Sequence, residues 1–204
     1  GRIHMIVNLF PESQGAWSAG LIENGSGFKV VNGKAYPVLR NYPNSALNVA
    51  DKYTQEYTIR ENGIVWEENS DGSSTQTQYR VPEYLSADGG GDLYRIDETE
   101  SQTPCGNIFV YTGENAGELK VPRVMSLVSC YSDDEGATWE GYQNITHMVK
   151  EEWVKYMNVT PGAGIRLQHQ TNNSLNGRLM IPVYHANDKG INSYSSTVIY
   201  SDDN

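Results

Sequence analysis

Closely spaced turn signals constrain the fold of this chain more than any other feature. Between residues 28 and 112, short runs of strand-forming residues recur about every ten positions, separated by glycine-containing turns. Asn-Gly and Asp-Gly between such runs are the strongest short-range signals of a β-hairpin. The turns are Asn32-Gly33, Asn62-Gly63, Asp71-Gly72 and Gly89-Gly90-Gly91. The pattern predicts a small, meandering all-β unit with strands at 28–31, 35–40, 56–60, 64–66, 78–81 and 107–111.

The rest of the chain is also strand-like, except for one segment. From Thr146, which resembles an N-cap, apolar residues follow at helical spacing, and Glu151-Glu152 lie near the front, where the helix dipole favours acidic side chains. This predicts one helix of about three turns. The expected fold class is therefore all-β with one short helix. The further predicted strands are at residues 2–10, 121–131, 165–168, 178–185 and 195–200.

Composition argues against several classes of function. The chain has 204 residues and a formal net charge of −10, and its Lys and Arg residues form no run. Such a surface repels phosphate backbones, so we expect no nucleic-acid partner. No apolar stretch approaches the roughly 20 residues of a transmembrane helix, so we expect no membrane-spanning segment. Abundant Tyr, Asn, Ser and Thr with few cysteines are typical of a secreted bacterial protein, which predicts an extracellular location.

The spacing of Cys and His predicts no metal and no cofactor. Cys105 and Cys130 are the only cysteines, and neither lies in a Cys-x-x-Cys pair or a Cys/His cluster. They could form a bridge, but a chain of this length does not need one, and we predict two buried thiols. The four His are scattered, so structural or solvated roles are expected for them.

One motif is both specific and repeated. Residues 132–139 fit the pattern Ser-x-Asp-x-Gly-x-Thr-Trp, known as an Asp box, and Tyr131-Ser132-Asp133 is echoed by Tyr200-Ser201-Asp202. In this hairpin turn the aspartate accepts hydrogen bonds from the turn, the glycine supplies a positive φ and the tryptophan packs over the turn. Repeated blade-sized units, with a second box starting at Ser201, indicate a β-propeller. The predicted structural, non-catalytic residues are Ser132, Asp134, Gly136, Thr138 and Trp139.

An ordered series of segments resembles the bacterial sialidases, the family 33 glycoside hydrolases. The resemblance covers most of the chain and implies a six-bladed propeller interrupted by a small β-rich insertion domain. On that basis we expect a propeller strand and pocket segment at 1–27, the insertion domain at 28–112 and further propeller strands at 113–204. The segments are Phe10-Pro11-Glu12, Tyr57 to Gly63, Tyr131 to Trp139, Pro161 to Ile165 and Gly177 to Tyr184.

This resemblance implies an exo-α-sialidase that removes terminal sialic acids from glycans and glycoproteins. Such enzymes bind the sugar carboxylate with three arginines, use a loop Asp as acid/base and use a Tyr, activated by a Glu, as nucleophile. No Phe-Arg-Ile-Pro motif, which carries the first of these arginines, is present. We therefore expect a central fragment, cut at both ends and inactive alone, with every catalytic residue outside it. Arg166 and Arg178 match ordinary strand residues, so we expect structural or exposed roles for them.

The resemblance also places four residues of this chain in the substrate pocket. Tyr184 matches a position lining the pocket for the N-acetyl and glycerol groups, and Tyr194 matches a neighbouring position that is often Gln in hydrolytic members. Ala16 and Trp17 fall where the family places residues touching the same groups, although core packing is the commoner fate of such rings. An aromatic, drier pocket favours attack by the sugar's own hydroxyl over water. Tyr194 thus predicts an intramolecular trans-sialidase, which releases an anhydro sugar.

Two alternatives stay open at this point. One is a non-catalytic Asp-box propeller used for binding or scaffolding, which the flanking sequence would distinguish. The other is that the 28–112 unit is itself a carbohydrate-binding module, although half-buried β units are rich in tyrosine in any case. The aromatic residues that permit this are Tyr36, Tyr42, Tyr53, Tyr57, Trp66, Tyr79, Tyr84 and Tyr94.

Overall fold

Antiparallel pairing organises the whole chain. A computed structural model describes residues 1–12, 22–42, 53–187 and 193–202. Within these ranges the strands form one seven-stranded, one three-stranded and one four-stranded sheet. The described residues contain one α-helix of a single turn and two short 3-10 turns, so the predicted all-β class with one short helix is confirmed.

The seven-stranded sheet is a meander in which each strand pairs with the next one along the chain. Asn32 and Gly33, which join its first two strands, both have positive φ, 52° and 82°, as a two-residue hairpin turn requires. Its strands are β2 (Phe28–Val31), β3 (Lys34–Arg40), β4 (Glu56–Ile59), β5 (Ile64–Glu68), β6 (Ser74–Arg80), β7 (Asp92–Ile96) and β8 (Gln102–Asn107).

The strand predicted at 107–111 is wrong. Pairing ends at Asn107, and the chain then turns, with the Val110 N–H donating to the Asn107 carbonyl. Ile108 and Tyr111 are both fully buried in this turn. The apolar run therefore reflects burial and not strand geometry, two causes that look alike in a short run.

One apolar cluster lies between the seven-stranded sheet and the segment that follows it. Strands β3, β4, β5, β7 and β8 contribute one buried residue each, and further members come from the residue after β6 and from the segment after β8. The cluster's buried members are Leu39, Ile59, Val65, Val81, Leu93, Cys105, Ile108, Leu119 and Val121.

Of the two smaller sheets, the three-stranded one joins distant parts of the chain, and the four-stranded one is built from strands within residues 157–201. The three-stranded sheet has the order β1 (Ile3–Leu9), β9 (Ser126–Ser132), β10 (Glu140–Asn144). In the four-stranded sheet β13 (Leu179–Ala186) is central, with β14 (Tyr194–Ser201) on one side and β11 (Met157–Val159) and β12 (Ile165–Arg166) on the other. The predicted strand at 121–131 thus begins later, at Ser126, and the one at 165–168 ends earlier, at Arg166.

A shared core and one side-chain bridge join the two smaller sheets. Leu127, Met157 and Val183 form the buried centre of that core. The amide of Asn8 donates to the Met157 carbonyl at 3.0 Å and accepts from the Val159 N–H at 3.1 Å. This side chain therefore links β1 to β11 as a short piece of backbone would.

The helix is shorter than predicted and begins differently. Helix α1 (Thr146–Val149) has one turn, and Thr146 is its first residue while Ile145 holds the N-cap position. The Thr146 hydroxyl contacts Asn144 Oδ1 at 2.5 Å and accepts from the Leu127 N–H at 2.8 Å. The chain becomes extended at Lys150, so the predicted helix stops there. The apolar residues that continue the helical spacing beyond this point, such as Val154, are buried in a turn instead.

Cys105 and Cys130 are free and buried, which confirms the prediction of two buried thiols. Burial raises the pKa of each thiol and keeps it protonated at neutral pH. None of the helices in the described ranges is long and apolar enough to cross a membrane.

Candidate functional site

Three tyrosines meet on one face of the four-stranded sheet, and we call them the tyrosine cluster: Tyr156, Tyr184 and Tyr194. Tyr184 lies on β13, Tyr194 starts β14 and Tyr156 directly precedes β11. Pairing of Ala186 with Tyr194 puts Tyr184 and Tyr194 diagonally opposite each other on the same face. The structure thus brings together the two tyrosines that were predicted as pocket residues.

The rings of the tyrosine cluster touch one another mostly edge to face. Ring centroids of Tyr184 and Tyr194 are 6.5 Å apart at 89°, and those of Tyr156 and Tyr184 are 6.5 Å apart at 78°. The rings of Tyr156 and Tyr194 are nearest, at 5.5 Å. These are the separations and angles that the aromatic quadrupole favours, so the three rings support one another.

The three side chains of the tyrosine cluster differ in solvent exposure. Tyr156 is 7% exposed, Tyr184 is half-buried and Tyr194 is 53% exposed. The buried side rests on Ile22 and Met125. The cluster therefore presents an aromatic surface that is buried on one side and exposed at Tyr194, and such a surface can pack against an apolar part of a ligand.

Tyr156 was not predicted from the sequence. A signal existed, because it stands directly before the Met-Asn-Val strand β11, whose register with β13 sets it opposite Ala186. That register could not be seen in the sequence alone. Nearby, the half-exposed Trp153 ring packs edge-on against His185 at 6.1 Å.

The other two predicted pocket residues, Ala16 and Trp17, lie outside the described residues. Phe10 and Ile22, on either side of them in the chain, pack in the same apolar cluster as Tyr156. The described residues on either side of that segment therefore both contact the apolar cluster that contains Tyr156.

Two glutamates, one before and one after residues 13–21, form hydrogen bonds with residues of the 28–112 unit. Glu12 accepts hydrogen bonds from the backbone N–H groups of Thr112 and Tyr111, which lower the pKa of its carboxyl. Glu23 accepts from the Tyr42 hydroxyl at 2.7 Å. Both chain positions next to the predicted pocket segment are therefore anchored to residues far away in the sequence.

The turn after β9 is held by side chains of the predicted Asp box. Asp134 accepts from the Thr138 N–H at 2.8 Å and from the Thr138 hydroxyl at 2.6 Å, and the Ser132 hydroxyl donates to it at 2.8 Å. Together these bonds, with that from the Thr138 hydroxyl the largest, lower the pKa of Asp134 to about 2. Gly136 has φ +91°, and a Cβ added there would lie 3.7 Å from the Trp139 ring. Each of these residues is thus engaged in shaping the turn.

Two ion pairs, which we call the arginine latches, were not predicted, although a structural or exposed role was expected for Arg178. In the first, Arg2 forms a bidentate pair with Asp133 at 2.9 and 2.7 Å, and its guanidinium covers the Tyr131 ring at 3.9 Å. In the second, Arg178 binds Asp202 at 2.7 and 2.9 Å.

The second latch repeats the first in every contact. The guanidinium of Arg178 covers the Tyr200 ring at 4.1 Å. Ile3 pairs with Ser132 as Leu179 pairs with Ser201, so the two registers are equivalent. The repeated Gly-Arg-Ile and Gly-Arg-Leu that precede β1 and β13 were the available signal. Arg166, by contrast, is simply exposed.

Aromatic residues of the 28–112 unit are largely occupied by contacts within the chain. Tyr57, Tyr79 and Tyr84 pack against the core of the seven-stranded sheet. The Trp66 ring lies under the Arg60 guanidinium at 4.9 Å. These four rings are therefore engaged by residues of the chain itself. Among the described residues, no group of three His, Cys, Asp or Glu side chains is placed to hold a metal ion.

Comparison with known proteins shows which proteins this chain is similar to. No protein-family model matches the chain. Among curated proteins, it is 30% identical over 220 residues to an anhydrosialidase of Macrobdella decora, in an alignment that spans 99% of this chain. The chain is a relative of the sialidases. The resemblance inferred from its sequence is therefore confirmed.

Solved sialidase structures agree with this assignment. Over 99% of its length the chain resembles the intramolecular trans-sialidase of Ruminococcus gnavus, solved with oseltamivir carboxylate, at 28% identity and a TM-score of 0.67. The leech intramolecular trans-sialidase, solved with 2,7-anhydro-Neu5Ac, gives the same identity and TM-score. The NanB sialidase of Streptococcus pneumoniae, at 20% identity and a TM-score of 0.57, supports the fold alone.

This chain covers only part of each sialidase relative. It spans 25% of the curated anhydrosialidase, 39% of the Ruminococcus gnavus chain and 28% of the leech chain. The activity of the whole protein therefore has to be argued from the pieces of the site that this chain carries.

Proposed function

We propose that this chain is part of an exo-α-sialidase and forms one wall of its substrate pocket. The parent protein would cleave terminal sialic acids from glycans and glycoproteins on a six-bladed propeller interrupted by the 28–112 insertion. Its arginine triad, acid/base Asp and Tyr nucleophile would lie outside these residues, because no segment here matches their motifs. Similarity to sialidases along 99% of the chain supports this proposal.

The product we propose is an anhydro sugar, made by an intramolecular trans-sialidase. The observation that carries this is the tyrosine cluster, with the half-exposed Tyr194 ring beside Tyr184. In this reaction the bond from the anomeric carbon to the aglycone oxygen breaks, and the aglycone leaves with a proton. A hydroxyl of the same sugar bonds to the anomeric carbon and loses its proton. An aromatic wall that keeps water away favours that hydroxyl over water.

Product analysis of the parent enzyme tests the proposal. With a sialylated glycan as substrate, we expect mainly the anhydro sugar by mass spectrometry, and Tyr194→Gln should raise the share of free sialic acid. Tyr200→Gln, at the other end of β14, is the matched control and should leave the products unchanged. Mainly free sialic acid from the unaltered enzyme would overturn the product assignment.

A simpler assay tests where the catalytic residues are. The 204-residue chain alone should not turn over a fluorogenic sialoside, because it lacks the proposed catalytic groups. Appreciable turnover by the purified chain would contradict their placement outside it.

We also propose that the parent protein works outside a bacterial cell, secreted or attached to its surface. Sialylated glycans and glycoproteins, its proposed substrates, would be met there, and the polar, cysteine-poor composition is compatible with that setting. Fractionation of the source culture should place the enzyme in the medium or on the cell surface. Recovery in the soluble cell interior alone would contradict it.

A further inference from the structure

We propose that Tyr156 is a positioning residue that fixes the Tyr194 ring in the pocket wall and thereby controls substrate affinity and product choice. This inference rests on the function proposed above. Tyr156 itself is 7% exposed, so its role would be exercised through Tyr194, which is the exposed member of the cluster.

The sheet register brings these two rings together across a third strand. Tyr156 lies opposite Ala186 on one side of β13, where its carbonyl accepts the Ala186 N–H at 3.1 Å. Tyr194 pairs with Ala186 on the other side. Residues directly opposite each other in an antiparallel sheet share a face, so all three side chains point the same way.

The small side chain at position 186 is what lets the rings meet. With a methyl group between them, the Tyr156 and Tyr194 rings come within 5.5 Å, at an angle of 56°. A larger side chain at Ala186 would stand between the two rings and separate them.

The contact matters because Tyr194 is half-exposed, and among the described residues its other ring neighbour is Tyr184. A half-exposed tyrosine at the start of a strand has several accessible rotamers, and a fixed ring beside it selects one of them. Tyr156 can act as that fixed ring because it is buried against Met125 and Ile22. Tyr184 closes the third side, edge-on to both.

The test is a double-mutant cycle in the parent enzyme, with KM, kcat and product ratio as measurements. Tyr156→Phe keeps the ring and should change none of them. Tyr156→Leu removes the ring and should raise KM and the share of free sialic acid by about two- to tenfold, the worth of one aromatic pair, with a smaller change in kcat. In a Tyr194→Gln background, Tyr156→Leu should have no further effect.

A second variant covers the case in which Tyr156→Leu fails to fold. Ala186→Val leaves Tyr156 in place but separates the rings, and it should reproduce the KM and product changes. Equal effects of Tyr156→Leu or Ala186→Val with and without Tyr194 would show a merely structural role and overturn the inference.

Failure of the inference can be told apart from failure of the proposed product. The affinity for free N-acetylneuraminic acid is measured by competition in the four proteins of the cycle, which are the unaltered enzyme, Tyr156→Leu, Tyr194→Gln and the double variant. It reports the Tyr156–Tyr194 coupling whatever the product is. If the unaltered enzyme releases free sialic acid, the proposed product is wrong, while a coupled loss of affinity still supports Tyr156 as a positioning residue. Additive changes in affinity would sink it.

Discussion

The strand register of the seven-stranded sheet and that of the three-stranded sheet are set in different ways. In the seven-stranded sheet every strand pairs with its sequence neighbour, and short turns set each register. In the three-stranded sheet β1 pairs with β9, and the whole seven-stranded sheet lies between them in the chain. Local turns cannot set that register, so it has to come from contacts between distant side chains.

The polar contacts of the two regions differ accordingly. The seven-stranded sheet contains a nearly buried carboxylate, Glu68, whose side chain is 4% exposed. It accepts from the Thr58 hydroxyl at 2.5 Å, Arg60 at 2.8 Å and the Ser74 hydroxyl at 3.1 Å. The smaller sheets instead carry the exposed arginine latches at the ends of β1 and β13. The seven-stranded sheet thus contains a buried, fully bonded carboxylate, whereas the two latches are solvent-facing ion pairs, one beside the long-range β1–β9 pairing and one beside the β13–β14 hairpin.

Removing the buried carboxylate should have the largest effect. Glu68→Ala leaves the Arg60 guanidinium nearly buried without its carboxylate, and we expect a loss of about 3–5 kcal/mol in the free energy of unfolding. Urea unfolding measures it. Glu61→Ala is the matched control, since its ion pair with Lys34 is exposed and should matter little. Equal losses for the two variants would show that the buried and the exposed carboxylate stabilise the protein equally.

The same carboxylate gives the sheet a pH dependence of known sign. Burial by itself would raise the pKa of Glu68, but hydrogen bonds from Thr58 and Arg60 outweigh it, and the pKa is lowered. The ionised Glu68 therefore contributes to the free energy of unfolding at neutral pH, and this contribution is lost as the pH falls through the lowered pKa. In Glu68→Ala this part of the acid sensitivity should disappear.

A buried lysine next to the smaller sheets should act in the opposite direction. Lys150 is 5% exposed, and burial lowers its pKa to about 8. Its ammonium donates two long bonds, each 3.4 Å, to the carbonyls of Met125 and Lys155. Because desolvation of the charge costs more than two long bonds return, Lys150→Met should stabilise the protein by about 1–2 kcal/mol at pH 7.

The pH dependence of that gain is the sharper test. Between pH 8 and the ordinary lysine pKa of 10.5 the unfolded chain binds the proton more tightly, so the unaltered protein gains stability as the pH rises. The advantage of Lys150→Met should shrink over this range. Lys155→Met, on a less buried side chain, is the control and should show no such trend. A constant advantage at every pH would argue that packing, not charge, is responsible.

The Asp134 turn should show a smaller effect. Asp134→Asn weakens the bonds from Thr138 and Ser132, and we expect the Tm to fall by about 2–4 °C at pH 7. Since the pKa of Asp134 is about 2 instead of 3.8, its contribution is full above about pH 4 and is lost as the pH falls towards 2. Glu135→Gln, an exposed neighbour in the same turn, should leave both the Tm and the acid midpoint unchanged.

The arginine latches should give the smallest effects, and equal ones. Arg2→Lys and Arg178→Lys each lose a bidentate pair and the cover of a tyrosine ring, but both pairs face solvent. Each change should lower the Tm by no more than about 2 °C, and by less in high salt. Arg166→Lys is the control. A clear difference between the two latch variants would show that their equivalent geometry does not mean equivalent energy.

Sequence reasoning did best where structure is local. The Asn32-Gly33 hairpin and strands β2 to β6 were predicted to within a few residues, because turn residues with positive φ act over short distances. It failed where apolar residues are buried in turns, because their pattern resembles that of a strand at 107–111 and that of a helix after α1. The candidate site shows the same division: Tyr184 and Tyr194 were found through the resemblance, whereas Tyr156 required the register of β11 against β13.

By itself, the sequence determined the all-β class, the hairpin turns, the free thiols and the relation to sialidases, since each rests on neighbouring residues or on ordered motifs. Only the tertiary structure decided that β1 pairs with β9, that Arg2 and Arg178 form equivalent latches, and that three tyrosines meet over Ala186. The physical reason is that an antiparallel register joins residues at any distance along the chain, while side-chain period and turn chemistry act only over a few residues.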